Sequence, residues 1–384
     1  MLKYSLGIDI SKKDFHACLS VIDNRQEVKI KASHKFVNQQ EGFKELDGWI
    51  SKHKKEADIP LCITMEATGV YFEACALYLF NAGHKVSVVL PNKAKQYMKA
   101  LGLKTKNDKI DAAGLARMGA EQNLDTWEPL ADFFYTLRSL TRHHQSLQEH
   151  KTKLNNQLHA DMYSIYSDKR VIKQLKKLID TIDKQLEEIV KAIDTHITSN
   201  QQVAGKVAKA KQIKGVGIMT IATILAETNG FTLFKNIPQV VSYAGYDVEE
   251  NQSGNRKGKT RISKKGNSRI RRCLHLPAFN VVKYDTGTFK PFFERLLARH
   301  SQKMKAYVAV QKKLLVLIYT LWKKDADFNP IGLATGQKIF RNEEMVSSFG
   351  IGSSEPNKQP RMIGAALDRH SLTNQCMSSF GIQK

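Results

Sequence analysis

The first 90 residues alternate between two hydrophobic periods in an order that few folds accommodate. Strand-like runs occupy residues 4–10, 15–22, 27–37, 61–65 and 85–90, and apolar residues recur at helical spacing over 40–55 and 71–81. Three meandering strands are thus followed by helices and strands in turn. This order predicts an α/β domain with a mixed sheet and helices packed on it.

A charged segment from residue 137 to 197 carries a heptad-like stripe of apolar residues. A break near 163–168 indicates either two long helices folded back as a hairpin or one interrupted coiled coil. The stripe would then seal the hairpin internally or form a dimerising seam. Residue patterns alone leave both alternatives open.

The remainder is predicted to be mainly helical, with a helix-hairpin-helix-like turn at Ile213–Gly217 that could offer backbone N–H groups to a phosphate. Beyond Pro330 the composition turns rich in Gly, Ser, Asn and Gln, which is typical of a mobile tail. The predicted organisation is a catalytic domain over 1–130, a helical coiled-coil linker over 131–205, a helical domain over 206–328 and a tail over 329–384.

The charge of the chain constrains its partners. Sixty Lys and Arg face 37 Asp and Glu, which leaves a net charge of +23. Such an excess favours a polyanionic partner, with nucleic acid ahead of an anionic membrane surface. No secretory signal and no apolar run of about 20 residues is evident, so we expect a cytoplasmic protein associated with chromosomal DNA. Five scattered cysteines without a C-x-x-C pair predict reduced thiols and no structural zinc.

Four acidic residues stand at the ends of predicted elements. Asp9 ends the first strand, Glu66 ends the fourth, and Asp108 and Asp111 begin a helix. The helix pair alone is more typical of N-terminal capping than of catalysis. Because the first and fourth strands of a mixed sheet are often neighbours, the four carboxylates together predict a site for two Mg²⁺ ions, the arrangement that supports phosphoryl transfer.

The densest basic segment runs from Asn251 to Arg272 and contains no acidic residue. Its glycines and small polar residues suit close approach to phosphates, whereas a solvated basic loop is the plainer alternative. Ser253 lies near its start and, by spacing alone, is a weak candidate nucleophile. The residues predicted to bind nucleic acid are Lys104, Lys106, Arg256, Lys257, Lys259, Arg261, Lys264, Lys265, Arg269, Arg271 and Arg272.

In order and spacing, Gly7-Ile-Asp9, Met65-Glu66-Ala-Thr-Gly69, Asn107-Asp108-Lys-Ile-Asp111 and Gln252-Ser253-Gly254 resemble the motifs of the DEDD transposases of bacterial insertion sequences, the IS110 family. The resemblance covers residues from about 4 to 325. It departs at Tyr243-Ala-Gly-Tyr246-Asp-Val248, where the family more often has Gly-Leu and a proline.

The resemblance implies an RNase H-like (RuvC-like) N-terminal domain, a coiled-coil connection and a helical C-terminal domain. It also implies that Asp9, Glu66, Asp108 and Asp111 bind Mg²⁺ and that Ser253 is the nucleophile of strand exchange. Donor and target DNA, a structured guide RNA and a homo-oligomer of two or four copies are the implied partners.

Three other interpretations compete with this one. A hydrolytic nuclease, acting on junctions or as an RNase H-like enzyme, would use the acidic residues without the serine. A non-catalytic DNA or RNA scaffold would use the carboxylates as caps. The opening Gly-Ile-Asp-Ile also begins actin-like kinases, but that fold requires a second copy of the motif, which the sequence lacks.

Overall fold

The computed structural model describes residues 1–102, 107–250, 252–253, 256–258, 260–284 and 287–328. The elements of its N-terminal part are β1 (Lys3–Ile10), β2 (Asp14–Ile22), β3 (Val28–Val37), α1 (Gln40–His53), β4 (Leu61–Glu66), α2 (Glu73–Asn81), β5 (Lys85–Val89), α3 (Pro91–Ala100) and α4 (Asp108–Glu121). The five strands form one sheet in the order β3-β2-β1-β4-β5. The first three strands are antiparallel, and β1, β4 and β5 are parallel.

The two faces of the sheet carry different side chains. On one face, large apolar residues such as Leu6 and Ile8 pack with Phe43 and Leu46 of α1 and Leu79 of α2. The opposite face carries small residues and is covered by α4. Because helices cover both faces, β1 is buried along almost its whole length, as is expected of a central strand in a layered α/β fold. The predicted mixed sheet with packed helices is confirmed.

Two long helices follow, α5 (Asp132–Tyr163) and α6 (Lys169–Thr198), and they pack against each other as a hairpin. At the base of the hairpin, Leu137, Ile193 and Ile197 join the core of the C-terminal region. The turn falls at 164–168, where the apolar stripe is interrupted in the sequence. The pairing of this hairpin with a second copy stays a prediction.

The described part of the C-terminal region is mainly helical. Its elements are α7 (Gln201–Lys211), α8 (Ile218–Glu227), α9 (Ile237–Tyr243), β6 (Val248–Glu249), β7 (Gln252–Ser253), β8 (Arg256–Lys257), β9 (Arg261–Ile262), α10 (Ser268–Cys273), α11 (His275–Tyr284), α12 (Phe289–His300) and α13 (Lys303–Lys324). The region has its own large apolar core, centred on α13. Two very short antiparallel strand pairs, β6 with β9 and β7 with β8, lie between the helices α9 and α10.

In the part of the chain that is described, no helix is both long and apolar enough to cross a bilayer. The predicted tail over 329–384 lies outside the described residues, as do Lys104, Lys106 and Lys259. The domain boundaries at 130, 205 and 328 stay predictions.

Candidate active site

Helix α4 lies directly on the central strand because small residues face it. A Cβ atom at Gly7 would overlap the Ala112 carbonyl oxygen and the Ala116 backbone nitrogen. One at Gly119 would overlap the side-chain oxygens of Ser5 and Thr64. Only glycine permits so close an approach of backbone to backbone. The helix therefore sits on the sheet at a fixed depth and register.

These contacts also fix the direction of α4. The helix meets Ser5 at Gly119, near its carboxyl-terminal end, and meets Gly7 at Ala112 and Ala116, nearer its beginning. It therefore runs opposite to β1, and its first turn lies over the carboxyl end of that strand. Asp9 occupies this end of β1 and shares the face of Ser5 and Gly7, because side chains two apart on a strand point the same way.

Glu66 reaches the same edge from the neighbouring strand. The Thr64 side chain faces α4, so Glu66, two residues later, faces the same side. Strands β1 and β4 are parallel, and Ile8 pairs with Met65. Asp9 follows Ile8 on β1, and Glu66 follows Met65 on β4, so the two acidic residues are at the same level of the sheet. The predicted adjacency of the first and fourth strands is thus confirmed. Adjacent strands lie about 4.8 Å apart, so both acidic residues end on one edge of the sheet.

Asp108 and Asp111 contribute from the first turn of α4. The cap is made by Asn107, whose side-chain oxygen accepts the Ile110 N–H at 2.8 Å. Capping therefore does not require the Asp108 carboxylate, which lies on the exposed side of the turn, 3.8 Å from Nδ1 of His16. Capping is the commoner role of such an acidic pair, but in this helix Asn107 makes the cap.

The four carboxylates share an edge without forming a closed cage. Among the described residues, no three His, Cys, Asp or Glu side chains come close enough together to hold a metal ion. The donor chemistry nevertheless suits a hard cation, since carboxylate oxygens are the ligands that Mg²⁺ prefers. A buried imidazole nitrogen without a hydrogen-bond partner, Nδ1 of His16, faces the same edge.

His16 is a residue of this edge that was not predicted from the sequence. It stands opposite Asp9 in the β1–β2 pair, on the face of Cys18, which packs against Ala112 and Ala116 of α4. The tight turn between these strands, where the Ser11 N–H donates to the Asp14 carbonyl at 2.9 Å, was the available signal. A hairpin closed at Ser11 and Asp14 pairs position 9 with position 16.

Ser253 lies in the other part of the molecule, on the short strand β7, directly opposite Arg256 of β8. Its side chain is exposed. Ser253 belongs to the segment 247–263, here called the serine segment. Two hydrogen bonds close the base, or stem, of this segment: the Ser263 hydroxyl donates to the Asp247 carboxylate at 2.6 Å, and the Asn267 N–H donates to the Tyr243 carbonyl at 2.7 Å. The serine is therefore presented to solvent on a hairpin with a fixed stem.

Comparison with known proteins assigns the family. A DEDD transposase model matches residues 6–167, and a model described as the transposase IS116/IS110/IS902 family matches residues 207–294. The pilin gene-inverting protein of Moraxella bovis is 30% identical over 332 residues, which are 86% of this chain and 98% of that protein. The chain belongs to the IS116/IS110/IS902 transposase family. Its enzyme class is therefore that of a DNA transposase.

More distant relatives of this transposase include the transposase for insertion sequence element IS1328 of Yersinia enterocolitica. It is 20% identical over 281 residues, 66% of this chain and 81% of that protein. Among solved structures, RuvC of Thermus thermophilus aligns over 99% of its own chain and 32% of this one, at 13% identity and a TM-score of 0.26. That likeness is too slight to add to the description of the fold.

An ion pair between Arg142, which is partly exposed, and the buried carboxylate of Glu227 anchors the serine segment in the transposase. The Glu227 carboxylate, only 2% exposed, accepts two hydrogen bonds from Arg142 of α5, at 2.7 and 2.9 Å, and one from the Asn267 side chain at 2.8 Å. Burial raises the pKa of Glu227, and these bonds lower it by more, so its pKa lies below the ordinary value. Asn267 also caps α10, which begins shortly after the serine segment.

The predicted nucleic-acid-binding residues fall into several environments. Arg261 and Lys264 are exposed on the surface, and of Arg256 and Lys257 only the backbone is described. Lys265 pairs with Glu249, Arg272 pairs with Glu149, and Arg269 lies 3.9 Å from Glu227. Arg271 donates to the Ala244 carbonyl at 2.8 Å and thereby braces the stem.

The cysteines of the transposase are reduced in the described residues, where Cys18, Cys62, Cys75 and Cys273 are unpaired. Burial raises the pKa of the Cys18 thiol to about 11 and that of Cys75 to about 12. These two buried thiols therefore stay protonated at neutral pH and are inert parts of the core. Cys376 lies outside the described residues.

Proposed function

We propose that this transposase exchanges DNA strands through an acidic, Mg²⁺-binding edge and a serine nucleophile. One observation carries the proposal: Asp9, Glu66, Asp108 and Asp111 come from two adjacent strands and one helix, yet share one edge of the sheet. In this account the N-terminal domain is RNase H-like (RuvC-like), and the exposed Ser253 is delivered to the same phosphate. The stem at Asp247 and Ser263 supports the serine as a positioned group.

The proposed chemistry conserves the phosphodiester bonds. Ser253 Oγ attacks a DNA phosphorus, its proton leaves, and a phosphoserine bond forms as the bond to one sugar oxygen breaks. That sugar oxygen takes up a proton and leaves as a hydroxyl. A hydroxyl of the second strand then attacks the phosphoserine, which forms the new strand and returns Ser253. Magnesium ions held by the four carboxylates would neutralise the charge that develops on the phosphate.

The proposed partners are donor and target duplexes, with a structured guide RNA and a homo-oligomer of two or four copies by family likeness. The net charge of +23 supports polyanionic partners. The relative from Moraxella bovis is named for gene inversion, and the same chemistry would serve inversion or insertion of a DNA segment. We place these events on chromosomal DNA in the bacterial cytoplasm.

The serine has a direct test, in which Ser253→Ala and the matched control Ser268→Ala are assayed for sealed recombinant joints between donor and target DNA. Ser268 is an exposed serine in the same region, at the start of α10. We expect no joints with Ser253→Ala and ordinary yields with Ser268→Ala. Ordinary yields with both variants would remove Ser253 from the mechanism.

The same reactions separate the alternative functions. A hydrolytic nuclease would leave Mg²⁺-dependent nicks, unsealed, in wild type and Ser253→Ala alike. A non-catalytic scaffold would bind DNA but yield neither nicks nor joints, and its binding would survive Asp9→Asn. Strand exchange alone predicts sealed joints that require both Asp9 and Ser253.

A further inference from the structure

His16 lies at the edge of the sheet that Asp9, Glu66, Asp108 and Asp111 share, here called the acidic edge. The motifs that carry the family resemblance do not include it. It lies opposite Asp9 on the neighbouring strand, on the face covered by α4. Its Nδ1 atom points to the first turn of that helix and lies 3.8 Å from Asp108 Oδ2. The imidazole therefore bridges, in space, the strand and the helix that supply the acidic residues.

The surroundings of Nδ1 are unusual for a buried polar atom. Nδ1 of His16 is shielded from solvent and has no hydrogen-bond partner among the described residues. Buried polar groups in proteins are nearly always hydrogen-bonded, and exceptions need an explanation. The Asp108 carboxylate, 3.8 Å from Nδ1, lies beyond the range of about 3.2 Å for an N–H···O bond.

Asp108 is free to close that gap. Its side chain is 61% exposed, and the cap of α4 is made by Asn107. A rotation that moves the carboxylate by about 1 Å would bring it within hydrogen-bond range of Nδ1. A neutral imidazole protonated at Nδ1 suffices as the donor, so the contact requires no charge on His16.

We propose that His16 is a positioning residue that donates Nδ1–H to Asp108 and holds this carboxylate toward Asp9 and Glu66 when a divalent cation binds. The inference rests on the proposed function of the acidic edge. It assigns His16 the part that outer-sphere hydrogen bonds commonly play at metal sites, where their loss lowers metal affinity about 10- to 100-fold.

The test measures Mn²⁺ binding by the full chain, with Mn²⁺ standing in for Mg²⁺ and free Mn²⁺ followed by electron paramagnetic resonance. His16→Asn keeps an N–H donor near the position of Nδ1, whereas His16→Gln moves the donor toward the position of Nε2. We expect His16→Asn to bind Mn²⁺ within about twofold of wild type, and His16→Gln and His16→Ala to bind at least about tenfold more weakly. Thermal unfolding of each variant checks that the fold is retained.

Two further variants complete the design. His34→Asn on β3 is the matched control, because its Nε2 lies 3.9 Å from Glu45 on the surface, and it should bind as wild type does. In the Asp108→Ala background, His16→Ala should cause no further loss. Equal affinity of His16→Ala and wild type, or additive losses in the double variant, would overturn the inference.

The proposed function fails separately. If wild type binds no Mn²⁺, or if Asp9→Asn binds it as wild type does, the acidic edge is not a cation site. If Asp9→Asn abolishes binding while every His16 variant binds normally, the edge stands and His16 has no part in it.

Discussion

Gly7 lets helix α4 lie on β1, and this contact carries Asp108 and Asp111 to the edge where Asp9 ends its strand. The backbone of α4 is the obstacle to any side chain at position 7, and a backbone cannot rotate aside as a side chain does. The placement of the acidic edge is thus decided by a residue that has no chemistry of its own.

Gly7→Ala should therefore destabilise the protein by about 1–3 kcal/mol, the usual cost of overpacking a well-packed core. The matched control is Gly48→Ala in α1, where an added Cβ meets no atom within 4 Å, and where alanine should stabilise the helix by about 0.5–1 kcal/mol. Chemical denaturation of both variants measures the difference. Equal stability of Gly7→Ala and wild type would show that α4 does not sit where the structure places it.

Helix α5 joins the two halves of the molecule through arginines one turn apart. Arg138 donates to Glu73 at the start of α2, at 3.2 Å, and Arg142 donates to Glu227 at the end of α8. The first contact reaches the N-terminal domain a few residues after Glu66, and the second reaches the anchor of the serine segment. This element therefore contacts both of the parts that are proposed to react.

Arg142→Met leaves a buried carboxylate without its main partner and should cost about 3–5 kcal/mol at neutral pH. The control Arg170→Met breaks the exposed pair with Asp168 and should leave stability unchanged. Because the pKa of folded Glu227 lies below its ordinary value of 4.5, the pair stabilises fully above that pH and loses its effect as pH falls through the folded pKa. The difference in the free energy of unfolding between wild type and Arg142→Met, measured by chemical denaturation, should therefore become smaller in acid. A difference that grows in acid would contradict this assignment.

The elements show what the sequence could predict and what it could not. The succession of strands and helices along the chain through β5 follows from local patterns, and the adjacency of the first and fourth strands, which carry Asp9 and Glu66, follows from simple topology. The position of His16 beside Asp108 could not be predicted, because it depends on how α4 docks on the sheet, which is a long-range contact. The short strands of the serine segment were not predicted, because strands of two residues have no hydrophobic periodicity to detect.

At the scale of the whole molecule, the charge of +23 predicts strong dependence of DNA affinity on salt. Six to ten phosphate contacts would lower the affinity about 10³- to 10⁵-fold between 50 and 200 mM salt. Fluorescence anisotropy with a labelled duplex measures this slope. Arg261 is exposed, so we expect it to make one phosphate contact. Arg261→Ala should then reduce the slope of log affinity against log salt concentration by about 0.9, the value for one contact. An affinity that does not change with salt would argue against a nucleic-acid partner.

Arg271→Ala offers a contrast within the same segment. The Arg271 guanidinium donates to the Ala244 and Gly266 carbonyls, at 2.8 and 3.2 Å, at the stem of the serine segment. We infer that Arg271 stabilises the stem of the serine segment and contributes little to DNA binding. Its removal should lower thermal stability and leave the salt slope near that of wild type.

The most direct measurement is the yield of a denaturant-resistant adduct between the protein and donor DNA, with Mg²⁺ and with a chelator. We expect an adduct only with Mg²⁺, and we expect it to be lost in Asp9→Asn and in Ser253→Ala and retained in Ser268→Ala. An adduct that forms in Ser253→Ala, or equally well with the chelator, would contradict a reaction in which the acidic edge and Ser253 act on one phosphate.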